Sequence, residues 1–321
     1  MSENQTEKRK KEHINICLEK NIETTKTTGF EDINLIHKAL PNINMDEINT
    51  SCTFLNKPLN APIIIEAMTG GAKIAEKINK NLAIAAKNLG LAMGVGSQRA
   101  AIENNKLIST YNIRDVAPNI PLIGNLGAIQ FAKNEYTIKE AKKAITDINA
   151  DALAIHLNPL QEVTQPEGDL DFKNVIPAIK NICQNLNKPV IAKETGAGIS
   201  REIAQILEKT GVSIIDVAGL GGTSFSIIES YRDNDKKRPK GHIFEDWGIT
   251  TAVSIIETRK TTKIQIIASG GIRTGIDAAK SIALGANYVG LALPLLEPAA
   301  KSAKDVENVL KKIIDEFKTA M

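Results

Sequence analysis

The chain has 321 residues, 42% hydrophobic and 24% charged, with a net charge of +3. This is a globular composition, which excludes a disordered chain. So mild a charge and only 4% aromatic residues exclude a nucleic-acid surface of stacked bases and neutralised phosphates.

The first thirteen residues, MSENQTEKRKKEH, are charged with no apolar stretch behind them, so no secretory signal is expected. The longest apolar runs, 61–67 and 288–296, fall short of the roughly 20 residues a membrane span needs. Cys17, Cys52 and Cys183 are few, scattered and odd in number, as expected of reduced thiols in a cytoplasmic protein.

Residues 1–60 mix helical pattern with loops and are expected to form an N-terminal extension. From residue 61 short β-branched runs alternate with helical segments. Strands are expected at APIIIEAM, LAMGVGS, IPLIGNLG, DALAIHLN, PVIAKETG, SIIDVAG, IQIIASGG and NYVGLAL, each near-continuous in apolar residues, as parallel strands covered on both faces should be. Between them, Ala141, Ala144, Ile145 and Ile148 repeat at helical spacing, as do Ile203, Ile206 and Leu207 ahead of Gly211. Val306, Val309, Leu310, Ile313, Ile314 and Phe317 form the apolar stripe of a last helix. Eight such alternations predict a single α/β domain, a TIM (β/α)₈ barrel over 61–321, with an open doubly wound sheet as the alternative. Residues 224–248, SFSIIESYRDNDKKRPKGHIFEDWG, interrupt the rhythm after strand six and are expected to form a mobile insertion.

A barrel builds its site where the strands end. In order these ends carry Met68 and Thr69; Ser97, Gln98 and Arg99; Asn125; then His156, Asn158, Gln161 and Glu162. Lys193 ends strand five, GLGGTS strand six, SGGIRTG strand seven and ALP strand eight. The glycines of GLGGTS and SGGIRTG let backbone N–H groups approach a phosphate, or serve only as tight turns. Thr274 and Asp277 read as a capping box opening the next helix. Lys193 could pair with Glu194 or meet negative charge on a ligand such as a reduced flavin. The run EKRKKEH is either a solvated face or a tail folded over a polyanion, in which Arg9, Lys10 and Arg99 would grip a diphosphate. Trp247, the lone tryptophan, ends the insertion as core, interface or substrate wall.

RKKEHI, AMTGG, GVGSQRAAIE, GNLGA, HLNPLQEVTQPEGD, AKETGAGIS, GLGGTS, DWGITT, SGGIRTG and GLALP together resemble the type 2 isopentenyl diphosphate isomerases over nearly the whole chain. The resemblance implies FMN kept reduced by NADPH or NADH, Mg²⁺, and interconversion of isopentenyl and dimethylallyl diphosphate. It implies flavin contacts from Ala67, Met68, Thr69, Ser97, Asn125, Lys193, Thr223, Gly271, Ile272, Arg273, Ala292 and Leu293. It implies substrate contacts from Arg9, Lys10, Ser97, Gln98, Arg99, His156, Asn158 and Gln161, with Glu162 on the metal. His156, Gln161 and Trp247 form the expected catalytic set, and a homo-oligomer of four or eight copies is expected. Ala218 stands where relatives are expected to place a hydroxyl on the flavin phosphate.

Two other enzymes share such glycine turns. An FMN-dependent 2-hydroxy acid oxidase wants a base histidine and an arginine clamp, and GLGGTS has no histidine. An inosine monophosphate dehydrogenase wants a cysteine in that loop, and none of the three lies there. A non-catalytic flavin- or phosphate-binding barrel is the reading from another class.

Overall fold

The computed structural model describes residues 5–233 and 241–321. Eight parallel strands close in chain order: β1 (Ile63–Ile65), β2 (Ala92–Gly94), β3 (Leu122–Gly127), β4 (Ala152–Leu157), β5 (Val190–Glu194), β6 (Ile214–Asp216), β7 (Gln265–Ala268) and β8 (Tyr288–Leu291). β8 returns to β1 with Gly290 opposite Ile64. Each lies inside its expected segment, and the sheet is the closed barrel rather than the open one.

Alternate residues divide between two cores, which is why the strands read as continuous apolar runs. Ile64, Ile123, Ala154, Ile191, Ile214 and Ile267 fill the barrel, while their neighbours, such as Ile63, Ile65, Leu153, Ile215 and Val289, face the helices. A two-stranded antiparallel hairpin in the N-terminal extension, Cys52–Phe54 with Lys57–Leu59, plugs the filled end. Phe54 and Leu59 are fully buried against the interior cluster, and Phe54 meets Tyr288 edge-on with centroids 4.7 Å apart. Asp151 ties that end together, accepting from Lys57 at 2.7 Å, Arg114 at 3.1 Å and the Leu122 amide at 2.9 Å.

The helices follow their sequence signals. Ile138–Ile148 starts from a Thr137/Glu140 capping box and buries Ala141, Ala144 and Ile148. Arg201–Thr210 ends at Gly211 in the left-handed region, φ 93°. It buries Ala204 and Leu207, but Ile203 is 41% exposed, because the inward stripe is centred one residue later. Ala303–Ala320 buries Val306, Leu310, Ile313 and Phe317.

The N-terminal extension serves both ends of the barrel. Its helix Gln5–Glu19 lies over the mouth where the strands end. Residues 22–28 then cross the glycine turns, with the Ser224 amide donating to the Ile22 carbonyl, Thr24 to Gly222 and Ala252 to Thr28. The insertion opens with an ordered helix, Phe225–Arg232, because Ile227 and Ile228 bury against Ile22. Residues 234–240, the charged centre expected to be mobile, lie outside the described residues.

Replacing Phe54 by Ala should destabilise the fold by about 3–5 kcal/mol in urea denaturation, the usual loss for truncating a buried phenylalanine. A loss below about 1 kcal/mol would mean that the hairpin does not seal the core.

Candidate active site

One cavity occupies the barrel mouth beneath Gln5–Glu19. On that helix Arg9 and His13 stand one turn apart, as do Lys10, Ile14 and Cys17, and all five face the cavity. Ala67, Met68 and Thr69 line it after β1, Ser97 and Arg99 after β2, and Asn125 from β3. His156, Asn158, Gln161 and Glu162 come from β4 and its following turn, and Lys193 from β5. Thr223, Gly271, Ile272, Arg273, Ala292 and Leu293 complete the wall after β6, β7 and β8.

Gln98 and Trp247 stand apart from the expected set. Gln98 is 1% exposed and does not line the cavity; its amide donates to the Ala144 carbonyl at 2.8 Å and accepts the Asn125 amide at 3.0 Å. Those bonds pin β3 and turn the amide away from the cavity. Trp247 is 64% exposed, its ring edge-on to Phe244, outside the cavity lining.

The cations come first in the site's electrostatics. Among the described residues Arg9 pairs only with Glu167, at 3.8 Å, and Arg99 is held by Glu103 at 2.8 Å. Lys10 has no hydrogen-bond or ion-pair partner among the described residues. Burial, then the charges of Arg9 and Arg99, push its ammonium down to about 7. A half-buried ammonium beside like charges either gives up its proton or is stabilised by an anion.

His156 sits beneath these cations. Burial, and then Lys10, Lys193, Arg9 and Arg99, drive its imidazole down to about 3, so it is neutral at any working pH. Nδ1 lies 2.8 Å from Asn125 Oδ1, which assigns the proton to Nδ1 and leaves Nε2 as an open acceptor. A Cβ at Gly127 would lie 3.0 Å from that Nε2, so glycine there keeps its approach clear.

Asn158, one residue beyond β4, donates to Gln161 Oε1 and Glu162 Oε1, both at 3.1 Å. Glu162 Oε2 accepts the Asp169 amide at 2.9 Å. The carboxylate is 7% exposed, faces the cavity and has no cation partner among the described residues. No group of three or more His, Cys, Asp or Glu side chains placed to hold a metal occurs among the described residues, so a cation here would need further ligands from water or a substrate. Gln161 donates to Glu229 Oε1 at 3.2 Å, and His13 Nε2 lies 2.8 Å from the same oxygen. Glu229 is fully buried, and although burial would raise its carboxyl, His13 and Arg232 hold it below the usual range.

Lys193 does not pair with Glu194, whose carboxylate instead caps the amides of Gly196, Ala197 and Gly198. Its ammonium lies 2.5 Å from Asp216 and 2.9 Å from Glu66. Those carboxylates, with Ser269 donating to Asp216 at 2.5 Å, are site residues that sequence reasoning missed. The signal was a single acidic residue inside each of the apolar runs APIIIEAM and SIIDVAG.

The glycine turns press against one another. A Cβ at Gly270 would lie 2.1 Å from the Gly219 carbonyl oxygen and one at Gly271 2.2 Å from that of Gly221, both at left-handed φ. The expected Thr274/Asp277 capping box opens the helix behind them. Arg273 is ion-paired to Glu23 of the crossing segment. Thr69 Oγ1 is buried without a partner among the described residues, and Ala218 offers no side-chain donor.

A family model described as FMN-dependent dehydrogenase matches residues 135–321. The isopentenyl-diphosphate delta-isomerase of Pyrococcus furiosus is 52% identical over 98% of this chain and 82% of its own length. That of Methanothermobacter thermautotrophicus is 48% identical over 98% of this chain and 87% of its own. Among solved structures, a lactate oxidase of Pediococcus acidilactici superposes with a TM-score of 0.66 at 19% identity, covering 91% of this chain and 79% of its own. A mandelate oxidase gives 0.63 at 16% identity over 98% and 92%. These two show the barrel alone. No helix among the described residues is long and apolar enough to cross a membrane. Identity near one half over almost the entire length places the chain in the isopentenyl-diphosphate delta-isomerase family.

Proposed function

We propose that this chain interconverts isopentenyl and dimethylallyl diphosphate, with FMN as its cofactor and Mg²⁺ bound together with the substrate. The observation that carries the reading is the Lys10 ammonium, unpartnered among the described residues, set with Arg9 and Arg99 over a cavity that also holds a neutral imidazole and a carboxylate with no cation partner among them.

Two observations support FMN. Thr69 Oγ1 and Glu66 Oε1 are buried polar atoms left without partners where a ligand would supply them, and two backbone-only turns lie where a phosphate would bind. Thr69, Ser97, Asn125, Lys193, Thr223 and Arg273 would hold it, with Ala67, Met68, Gly271, Ile272, Ala292 and Leu293 completing the walls. When bound and reduced, FMN would supply acid and base chemistry to the isomerisation. A nicotinamide reductant, a cytoplasmic location and assembly into tetramers or octamers belong to the same proposal.

Moving the double bond adds a proton at one carbon and removes one at another, through a tertiary cationic centre that water would quench. Arg9, Lys10 and Arg99 anchor the diphosphate, and Glu162 takes Mg²⁺, which is commonly held by one carboxylate with phosphate oxygens. Asn158 fixes Glu162 and Gln161 in one orientation. His156 at Nε2 accepts, and so orients or relays, a proton rather than acting as a strong acid. Gln98 then acts as a pin behind the site, and Trp247 has no role in it from its exposed position outside the cavity.

A 2-hydroxy acid oxidase remains the alternative that the fold permits, but the loop Gly219–Ser224 holds no base histidine.

Three outcomes test this. The purified protein should be yellow and, once reduced with Mg²⁺ present, should equilibrate the two diphosphates; a colourless protein inert to both contradicts the proposal. In Glu162→Gln the Mg²⁺ dependence of substrate binding should weaken with FMN retained, and an unchanged dependence removes the metal from this residue. His156→Ala should keep its flavin and lose at least tenfold in kcat; near-normal turnover makes the histidine structural.

A further inference from the structure

The Lys193 triad lies at the floor of the cavity, and the mechanism above uses only its ammonium. Two carboxylates share that one cation, so with both ionised the group carries one net negative charge in a buried place. The two are not equally suited to it. Asp216 has both oxygens bonded, Oδ2 to Lys193 and Oδ1 to Ser269. Glu66 has Oε2 on Lys193 and Oε1 on nothing among the described residues.

We infer that Glu66 takes up one proton when a flavin bound over Lys193 is reduced, so that the triad becomes neutral as the cofactor becomes negative. The inference rests on the FMN reading above. Reduction brings two electrons and one proton to the flavin, the electrons coming from dithionite or a nicotinamide hydride donor, and leaves negative charge along its N1 and C2-carbonyl edge. A second negative charge on the triad would face it in low dielectric, which disfavours ionisation of the weaker carboxylate. That carboxylate is Glu66: the added proton comes from solvent and forms an O–H bond.

The groups facing Glu66 can be named strand by strand. Lys193 comes from β5 and favours the ionised form; Asp216 comes from β6 and opposes it. Ser269 follows β7 and reaches Glu66 only through Asp216. On β8 the facing residue is Gly290, where a Cβ would lie 2.2 Å from Glu66 Oε1, so no side chain approaches from there. His156 on β4 is neutral. Burial, followed by the charge of Asp216, raises the Glu66 carboxyl, with Lys193 pulling the other way. Glu66 is therefore the carboxylate that a new negative charge nearby tips toward the protonated form.

The test is the midpoint potential of bound FMN against pH in the holoenzyme and in Glu66→Gln. Each proton taken up with two electrons moves the potential by about 30 mV per pH unit, the two-electron equivalent of a tenfold change in equilibrium constant. Wild type should show two such steps per pH unit around neutrality and Glu66→Gln one. Equal slopes in the two proteins overturn the inference, whether Asp216 or the flavin takes the second proton. Should Glu66→Gln not retain FMN, the reduced-minus-oxidised infrared difference spectrum of the unaltered holoenzyme decides: a protonated-carboxyl band supports the inference and its absence overturns it. A protein with no flavin transition at all would instead remove the FMN reading.

Discussion

Half-burying an ammonium without a carboxylate is costly, and the barrel mouth is organised around doing so at Lys10. The residue lies on a helix outside the barrel, so its position depends on how firmly that helix is held. Arg232 does most of this, joining Glu12 of the helix at 3.0 Å, Glu167 of the turn after β4 at 2.8 Å and Glu229 of its own helix at 2.5 Å. His13 on Glu229 and Thr6 on Glu103 at 2.8 Å add two more ties. Glu12, Glu103, Glu167 and Glu229 are thus occupied with holding the helix, and none of them pairs with Lys10.

The same arrangement divides the cavity by charge. Arg9, Lys10 and Arg99 form a positive roof, and Lys193 with Glu66 and Asp216 form a floor whose net charge depends on one proton. Between them His156 is kept neutral by burial first and by the surrounding cations second, which leaves its Nε2 an acceptor. A magnesium diphosphate suits the roof and Glu162, and an uncharged alkene suits the space below. The low dielectric that makes each unpartnered group costly makes its interaction with a bound ligand strong.

The barrel was legible because its strands are apolar on both faces, a pattern that survives without knowledge of tertiary contacts. The strand-end rule likewise located His156, Asn158, Gln161, Glu162 and Lys193, since it needs only the place where each run stops. What it could not give was direction. Gln98 ends a strand next to Ser97 and Arg99, yet its amide turns back to Ala144 and Asn125, a contact set by residues 46 and 27 positions away. Lys193 could not be assigned to Asp216 rather than Glu194, because that choice depends on which strands are neighbours in the closed sheet. The charged run EKRKKEH was ambiguous for the same reason: only docking of its helix distinguishes the half-buried Arg9 and Lys10 from the exposed Lys8 and Lys11.

The central claim is that the mouth is an anion receptor built on an ammonium held near neutrality. Free, Lys10 is charged below about pH 7 and largely uncharged above it; a diphosphate beside it would restore the charge. Calorimetry of isopentenyl diphosphate binding with Mg²⁺ at pH 8, in buffers of different ionisation enthalpy, reads this directly. The account predicts uptake of close to one proton per site, lost in Lys10→Met. Binding with no proton uptake, or with the same uptake in Lys10→Met, would contradict it.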